Sequence, residues 1–138
     1  MSKRAVVSTI VTIILLIITG YLSHGVLLAG DYSHLSGLYR TQEEQIKYFP
    51  LMLPAHLAVA IALVWIFRRI RNQDPILIQG IRFGIAVAAL IPIPKFLIYY
   101  ALQPIPPELM VKQIVFDSIA CVIIGVVLAY LNVEQPRT

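Results

Sequence analysis

The hydrophobic pattern divides the chain into four long apolar stretches that are separated by short polar segments. A helix crosses the core of a bilayer with about 20 mostly apolar residues, and each stretch is close to that length or longer. The predicted spans are residues 5–28, 49–67, 76–102 and 109–131. The pattern therefore predicts an all-α fold: one integral membrane domain over residues 1–138, folded as an antiparallel four-helix bundle.

The composition agrees with lipid as the surrounding solvent. Hydrophobic residues make up 59% of the chain and charged residues 13%, whereas a soluble domain carries about 25% charged residues. With one cysteine, Cys121, neither an intrachain disulfide nor a CxxC redox pair is possible. The net charge of +4 is dispersed near the ends of the spans, so we expect no nucleic-acid partner.

The distribution of lysine and arginine predicts the orientation in the membrane. If the N-terminus lies in the cytoplasm, the inner side holds Lys3, Arg4, Arg68, Arg69, Arg71, Arg82 and Arg137, and the outer side holds Arg40, Lys47 and Lys112. Cytoplasmic loops of membrane proteins are enriched in these residues. We therefore expect a multi-pass protein of the bacterial inner membrane, with both termini in the cytoplasm. The first apolar run exceeds the roughly 7–15 residues of a signal-peptide core, which favours a retained helix.

Small residues recur every four positions in the third and fourth spans. The third span carries Gly80, Gly84 and Ala88, and the fourth carries Cys121, Gly125 and Ala129. Small residues at this spacing let two membrane helices approach closely. Since a short turn joins these spans, we expect them to pack against each other through these six residues.

Polar groups interrupt all four spans in the half of the membrane that we expect to face outward. These residues are His24, His56, Lys95, Tyr99, Gln113 and Asp117. A charge inside a membrane is unfavourable unless it is paired or faces a cavity, so we expect Lys95 to meet Asp117, with His56 joining them directly or through water. Two interpretations stay open: a pair that fixes the helix register, and a site for an ion, a proton or a polar ligand.

Prolines and polar residues predict the local shape of the helices. Pro92 and Pro94 should bend the third span beside Lys95, and Pro54 should bend the second before His56. The outer half of the bundle should therefore be splayed and the inner half tightly packed. In the long outer loop between the first and second spans, Thr41 and Glu44 have the spacing of a capping box, which predicts a short helix leading into the second span.

The segments GYLSHGVLLAGDY, which closes the first span, and FDSIACVIIGVVLAYL, in the last, resemble uncharacterised small four-helix bacterial inner-membrane proteins. That resemblance brings no assigned chemistry. Small multidrug exporters are similar in length and span number, but they carry an essential acidic residue in the first span, and this chain has none there. The likeness to the exporters therefore stops at architecture.

Three functions are compatible with these features. The first is a non-enzymatic accessory, assembly or structural subunit of a membrane complex, with lipids and other membrane subunits or a second copy of the chain as partners. The second is a small transporter or ligand-binding bundle that uses the polar residues of the outer half. The third is a haem or quinone oxidoreductase subunit, in which His24 and His56 hold a haem. No cofactor is required by the sequence, and neither a catalytic motif nor a metal signature is present.

Overall fold

The structure is a computed structural model that describes residues 2–35 and 37–133. These residues form helices and connecting turns, without a β-strand among them. The helices are α1 (Lys3–Gly20), which continues as a π-helix (Tyr21–Leu27), α2 (Ala29–Ser33), α3 (Gln42–Tyr48), α4 (Met52–Ile70), α5 (Ile76–Leu90), α6 (Pro92–Leu102) and α7 (Pro107–Leu131). Arg137, which contributes to the predicted orientation, lies outside the described residues.

Within the described residues, four helical stretches are long and apolar enough to cross a membrane, in agreement with the predicted class of a helical membrane protein. They are Lys3–Leu27, Glu43–Ile70, Ile76–Leu102 and Pro107–Leu131. The second begins earlier than predicted because α3 runs through a 3₁₀ turn, Phe49–Leu51, into α4. The predicted capping box starts α3. The Thr41 hydroxyl accepts from the Glu44 amide at 3.3 Å, and the Glu44 carboxylate accepts from the Thr41 amide at 3.2 Å.

The third span is interrupted at the point where Pro92 and Pro94 are predicted to bend it. In the second span α4 runs regularly past Pro54, and the interruption is the 3₁₀ turn Phe49–Leu51, one turn earlier. The third span divides at Ile91, whose backbone angles are φ −114° and ψ −77°. Pro92 and Pro94 follow it and lack the amide protons that would continue α5. Pro54 lies in the first turn of α4, which runs unbroken from Met52 to Ile70. The backbone amides in the first turn of a helix have no hydrogen-bond acceptor within that helix, so a proline at this position removes no hydrogen bond from α4.

The tightest helix contact is between α5 and α7, at their glycines. A methyl group on Gly80 would lie 2.5 Å from the Val126 Cα, and one on Gly84 would lie 2.7 Å from the Cys121 carbonyl oxygen. A methyl group on Gly125 would lie 2.8 Å from the Gly84 amide nitrogen. The two backbones are therefore in direct contact, which a larger residue would prevent. Residue numbers rise along α5 as they fall along the facing part of α7.

The end of the molecule opposite the α6–α7 turn is closed by apolar and polar contacts. Phe67 of α4 meets Phe83 of α5 edge to face, with ring centroids 5.1 Å apart. The side-chain amide of Asn132 donates to the hydroxyl of Ser8, which is fully buried on α1, at 3.0 Å. Such polar contacts between helices hold membrane bundles together where lipid offers no alternative partner.

The other half of α4 stands away from the remaining helices. From Leu51 to Ala58 every residue is exposed apart from the half-buried His56. The buried positions of α4 begin at Ala60 and continue to Phe67. In this half, α7 packs instead against α6 and against the segment that carries α2. The molecule thus has one closely packed half and one open half, as its sequence predicted.

Candidate functional site

Asp117 lies in the middle of α7, between two separate apolar clusters. On one side is the main core, which includes Val87, Ile124 and Leu128. On the other side is a smaller cluster in which Leu28, Ile105 and Leu109 are buried. About ten residues of helix separate Asp117 from the start of α7, which corresponds to roughly 15 Å at 1.5 Å per residue. A carboxylate at this depth requires partners within the protein.

Two basic side chains from different parts of the chain meet the Asp117 carboxylate. The His24 Nε2 lies 3.0 Å from its Oδ1, and the Lys95 Nζ lies 3.4 Å from its Oδ2. The exposed fractions of the side chains are 32% for His24, 38% for Lys95 and 19% for Asp117. The carboxylate is therefore the hub of the contact, and the two bases are reachable from outside the protein.

A π-helix presents His24 to this site. The segment Tyr21–Leu27 has the wider winding of a π-helix after the regular turns of α1. Inserted π-helical turns change the direction in which the following side chains point, and they are frequent at functional sites. The sequence pattern does not predict this irregularity, since a run of apolar residues with one histidine is equally compatible with an α-helix.

Tyr32 and Gln113 extend the contact into a chain of hydrogen bonds. The Tyr32 hydroxyl lies 2.6 Å from the His24 Nδ1, and the Gln113 Nε2 donates to the same hydroxyl at 2.9 Å. We call His24, Tyr32, Lys95, Gln113 and Asp117 the Asp117 cluster. Its members come from the π-helix, α2, α6 and α7, so the cluster depends on how these elements pack.

The directions of these bonds follow from the chemistry of the partners. Because a carboxylate accepts, the His24 Nε2 must carry the proton that faces Asp117. In a neutral imidazole the Nδ1 is then an acceptor, so the Tyr32 hydroxyl donates to it. The Tyr32 oxygen accepts in turn from Gln113. Among the residues that the structure describes, the Oε1 of Gln113 has no hydrogen-bond partner, although Gln113 is only 3% exposed.

Tyr32 is held in place from the side of the loop. Asp31, its neighbour in α2, accepts from the Lys112 ammonium of α7 at 2.9 and 3.0 Å through its two oxygens. The Tyr39 ring packs edge to face on Tyr32 with centroids 5.0 Å apart. Burial raises the pKa of Tyr32 to about 12, against a smaller opposite effect of the Gln113 hydrogen bond. Tyr32 is therefore a neutral hydroxyl at physiological pH.

The Lys95 ammonium lies between a carboxylate and an aromatic face. Its Nζ is 4.0 Å from the centre of the Phe96 ring, and Phe96 itself is 3% exposed. The His24 ring lies against the same phenylalanine, with centroids 6.1 Å apart. A carboxylate combined with the face of an aromatic ring is a favourable environment for a cation. Charge-assisted bonds from nitrogen to a carboxylate are usually 2.7–2.9 Å long, so Lys95 is held loosely by this standard.

His56 and Tyr99 are not part of the Asp117 cluster. The His56 Nδ1 is bonded at 2.5 Å to the Met52 carbonyl of its own helix, so the predicted direct contact with the charged pair is absent. The reason is the open half of α4, which keeps His56 away from α6 and α7. Tyr99 is exposed and reaches the site only through its edge-to-face contact with Phe96 at 6.3 Å.

The histidines do not form the haem clamp that the sequence allowed. Both ring nitrogens of His24 are engaged, by Tyr32 and by Asp117, so neither is available to an iron atom. His56 lies on the separate part of α4. In the part of the chain that the structure describes, no group of three or more His, Cys, Asp or Glu residues is placed to hold a metal ion.

The six small residues that are predicted to pack the third span against the fourth lie between the Asp117 cluster and the closely packed end of the molecule. Gly80, Gly84 and Gly125 form the close backbone contact described above. Ala88 and Ala129 are each 4% exposed, and Cys121 packs against the main core with a free thiol. These residues support the site by fixing α5 and α7, and none of them contributes a hydrogen bond to it.

Two residues at the site, Tyr32 in the Asp117 cluster and Phe96 beside it, are not predicted by the spacing of polar residues along the spans. Two features of the sequence point to these residues: Tyr32 follows an acidic residue, Asp31, and Phe96 follows Lys95. Neither signal predicts a contact without knowledge of the π-helix and of the break at Ile91.

Comparison of the chain with protein-family models, with curated proteins and with solved structures gives no match. The resemblance to small bacterial inner-membrane proteins therefore stays a prediction.

Proposed function

We propose that this protein is a small ligand-binding or transport bundle of the membrane that accepts a cation at Asp117. The observation that carries the proposal is the position of the Lys95 ammonium, 3.4 Å from the Asp117 carboxylate and 4.0 Å above the Phe96 ring. Lys95 thus occupies a cation site with its own side chain. A charged amine that enters the site takes the place of the lysine, whose flexible stem lets it move toward the surface.

The surroundings favour a cation over an anion. When the Lys95 ammonium leaves, its Asp117 oxygen and the aromatic face of Phe96 remain, and His24 still bonds the other carboxylate oxygen. The carboxylate and the face of the ring both attract positive charge. An anion would have to approach Asp117 in a medium of low dielectric constant, where repulsion between like charges is strong.

The open half of α4 supports entry of the ligand from the side. Leu51, Met52 and Leu57 expose apolar surface in this half, and Lys95 and His24 are each about one-third exposed. A ligand that arrives along such a surface carries an apolar part beside its charge. The expected ligand class is therefore an amphipathic ammonium compound.

The orientation belongs to the same proposal. Lysine and arginine are concentrated near the ends of α1, α4 and α5 that lie away from the Asp117 cluster, in agreement with cytoplasmic termini and an antiparallel arrangement of the spans. The Asp117 cluster then lies in the outer half of a bacterial inner membrane.

Binding of n-butylammonium to the purified protein in lipid nanodiscs tests the proposal. We expect the ammonium to shift the ¹⁵N resonance of Lys95 Nζ and to raise the thermal midpoint, because a ligand that binds the folded state stabilises it. Butanol and butyrate have the same chain length without the positive charge and should do neither. Asp117→Asn should abolish the effect, and Lys95→Met should strengthen binding by removing the resident cation. A larger shift with butyrate than with butylammonium would contradict the assignment.

A second function, that of an accessory subunit in a membrane complex, is favoured by a different observation. The open half of α4 exposes apolar residues on all its faces, among them Leu51, Leu53 and Leu57. Such a helix is suited to packing against a helix of another protein. Purification under native conditions followed by mass spectrometry distinguishes the two functions. A stoichiometric membrane partner that is lost in a Leu53→Ala, Leu57→Ala variant, with no binding of butylammonium, supports the accessory role.

A further inference from the structure

We infer that Tyr32 and His24 form a proton pathway that connects the aqueous surface on the Tyr32 side of the membrane with Asp117. The inference deepens the proposed function and rests on it, because a proton and a cationic ligand then compete for the same carboxylate. Its geometrical basis is the uninterrupted contact from Tyr32 Oη to His24 Nδ1 at 2.6 Å and from His24 Nε2 to Asp117 Oδ1 at 3.0 Å.

The two ends of the pathway lie in different environments. Tyr32 belongs to α2, which lies outside the four apolar stretches, and its side chain is half-buried. Asp117 lies deep in α7 and is 19% exposed. A histidine between them is suited to the transfer, since an imidazole takes a proton at one nitrogen while it releases the proton of the other.

Each transfer conserves protons and leaves all oxidation states unchanged. A hydronium ion at the surface gives a proton to the free lone pair of Tyr32 Oη, and the existing Tyr32 proton passes to His24 Nδ1. The proton on His24 Nε2 passes to Asp117 Oδ1, which becomes a neutral carboxylic acid. One proton has then moved from the water to Asp117. The neutral acid no longer attracts Lys95, so the ammonium is released from the cation site.

Gln113 can bond to Tyr32 both before and after the proton transfer. At present its Nε2 donates to the Tyr32 oxygen and its buried Oε1 is without a partner. After the transfer, His24 carries its proton on Nδ1 and donates to Tyr32, so the tyrosine hydroxyl points away from His24. A rotation of the Gln113 amide then brings Oε1 to that hydroxyl as an acceptor. The unpaired atom of the present arrangement becomes the acceptor of the other one.

The charged and titratable groups that the structure places around His24 have defined positions. Tyr32 and Asp117 bond to the ring, and Lys95 meets the other oxygen of Asp117. Beyond Tyr32 lie Tyr39, which packs on its ring, and the pair of Asp31 and Lys112. Asp31 and Lys112 neutralise each other. The Asp117–Lys95 pair is also neutral overall, so a proton on His24 adds one positive charge to the cluster. Its transfer to Asp117 moves that charge onto the Lys95 ammonium, which then lacks its carboxylate partner.

The first test uses the wild-type protein without any ligand, in vesicles sorted for one orientation. The infrared carbonyl band of a protonated carboxylic acid, assigned by its loss in Asp117→Asn, reports the arrival of the proton. Acidification of the Tyr32 side should produce the band, and acidification of the opposite side should not. A band that rises equally from both sides overturns the inference. Because no ligand is present, this outcome is independent of whether butylammonium binds.

The second test removes the hydroxyl. Tyr32→Phe keeps the ring but breaks the chain, so we expect the band to rise about a hundredfold more slowly, within the range known for a positioned proton donor. In a His34→Gln, His56→Gln background, Tyr32→Phe should leave His24 in the Nε2–H form that Asp117 imposes and should shift its Nδ1 resonance in the ¹⁵N spectrum, because the hydrogen bond to Nδ1 is lost. Tyr39→Phe alters the neighbouring ring without touching His24 and should leave the rate and spectrum unchanged. An unaltered rate in Tyr32→Phe overturns the pathway even if the sidedness is as expected.

Discussion

His24 and Asp117 are 93 positions apart in the chain, and the imidazole Nε2 of one lies 3.0 Å from the carboxylate Oδ1 of the other. This contact joins the end of the first membrane helix to the middle of the last. Lys95 reaches the other oxygen of the same carboxylate at 3.4 Å. Asp117 therefore has two partners, and its removal affects more of the structure than the removal of either base.

The first prediction ranks the substitutions at this hub. Lys95→Met leaves Asp117 with His24 and should lower the free energy of unfolding by about 1 kcal/mol. Asp117→Leu leaves two basic groups without their partner and should lower it by about 3 kcal/mol, since hydrogen bonds to charged groups contribute about 1.5–3 kcal/mol each. Equilibrium unfolding in mixed detergent micelles measures both values.

The double variant separates the two contacts. Lys95→Met combined with Asp117→Leu should recover part of the loss, because the unpaired ammonium is gone. The remainder should be recovered when His24→Phe is added, and the coupling between residues in contact should be about 0.5–3 kcal/mol. Equal losses for Lys95→Met and Asp117→Leu would show that His24 makes no energetic contribution.

The Lys95–Asp117 contact shows how far the sequence leads. The spacing of small and polar residues placed α5 and α6 against α7 in the right register, because helical periodicity and the short turn at Pro104 leave few alternatives. The partners of Asp117 beyond Lys95 could not be obtained in this way. His24 depends on a π-helix, whose winding is set by tertiary packing, and Tyr32 depends on how the loop folds back on α7.

His56 illustrates the opposite error. Its depth in the second span is similar to that of Lys95, and equal depth suggested a common site. Depth gives the position of a residue only along the membrane normal, however. Whether two residues meet also depends on how their helices are placed beside each other. Because α4 stands apart in this half, His56 bonds to Met52 within its own helix.

The second prediction concerns the ion pair that holds α2. Lys112→Met removes the bidentate contact with Asp31 at 2.9 and 3.0 Å and should speed hydrogen exchange of the α2 amides about tenfold. Global stability should fall by less than about 1 kcal/mol, because both side chains are exposed to a considerable extent. Arg82→Met removes a similar exposed pair with Asp74 at 2.8 Å and provides the control. Faster exchange of α2 in both variants would rule out a local role for Lys112.

The third prediction is a titration. Since the pKa of Tyr32 is raised from 10.0 to about 12 by burial, Tyr32 should be the last tyrosine to ionise, and Tyr32→Phe should remove the final step of the ultraviolet titration. The folded state holds this proton more tightly than the unfolded state. The resulting stabilisation is therefore complete below pH 10 and is lost as the pH rises from about 10 to about 12. A final step that persists in Tyr32→Phe would contradict the assignment.

The fourth prediction concerns topology. Reporter fusions in the loop that contains Thr41 should report the periplasmic side, and fusions after Arg71 should report the cytoplasm, because lysine and arginine favour the cytoplasmic side. A cytoplasmic reporter at Thr41 would place the Asp117 cluster in the inner half of the membrane. The proton pathway would then open to the cytoplasm, with its geometry unchanged.

The last prediction tests the contact between α5 and α7 with a matched pair of glycines. A methyl group at Gly84 would lie 2.7 Å from the Cys121 carbonyl oxygen and would meet the backbone of Val122, whereas a methyl group at Gly20 would meet nothing within 4 Å. Backbone atoms cannot move aside as a flexible side chain can. Gly84→Ala should therefore separate the helices and lower the free energy of unfolding by about 1–3 kcal/mol. Gly20→Ala should leave stability unchanged or raise it by up to about 1 kcal/mol, through helix propensity.

The same micelle unfolding experiment compares the two variants, and a Gly84→Ala variant as stable as Gly20→Ala would mean that α5 and α7 are not in backbone contact. If the contact is as described, Gly84→Ala should also weaken the Lys95–Asp117 pair, because the spacing of α5 and α7 sets the distance between the helices that carry it.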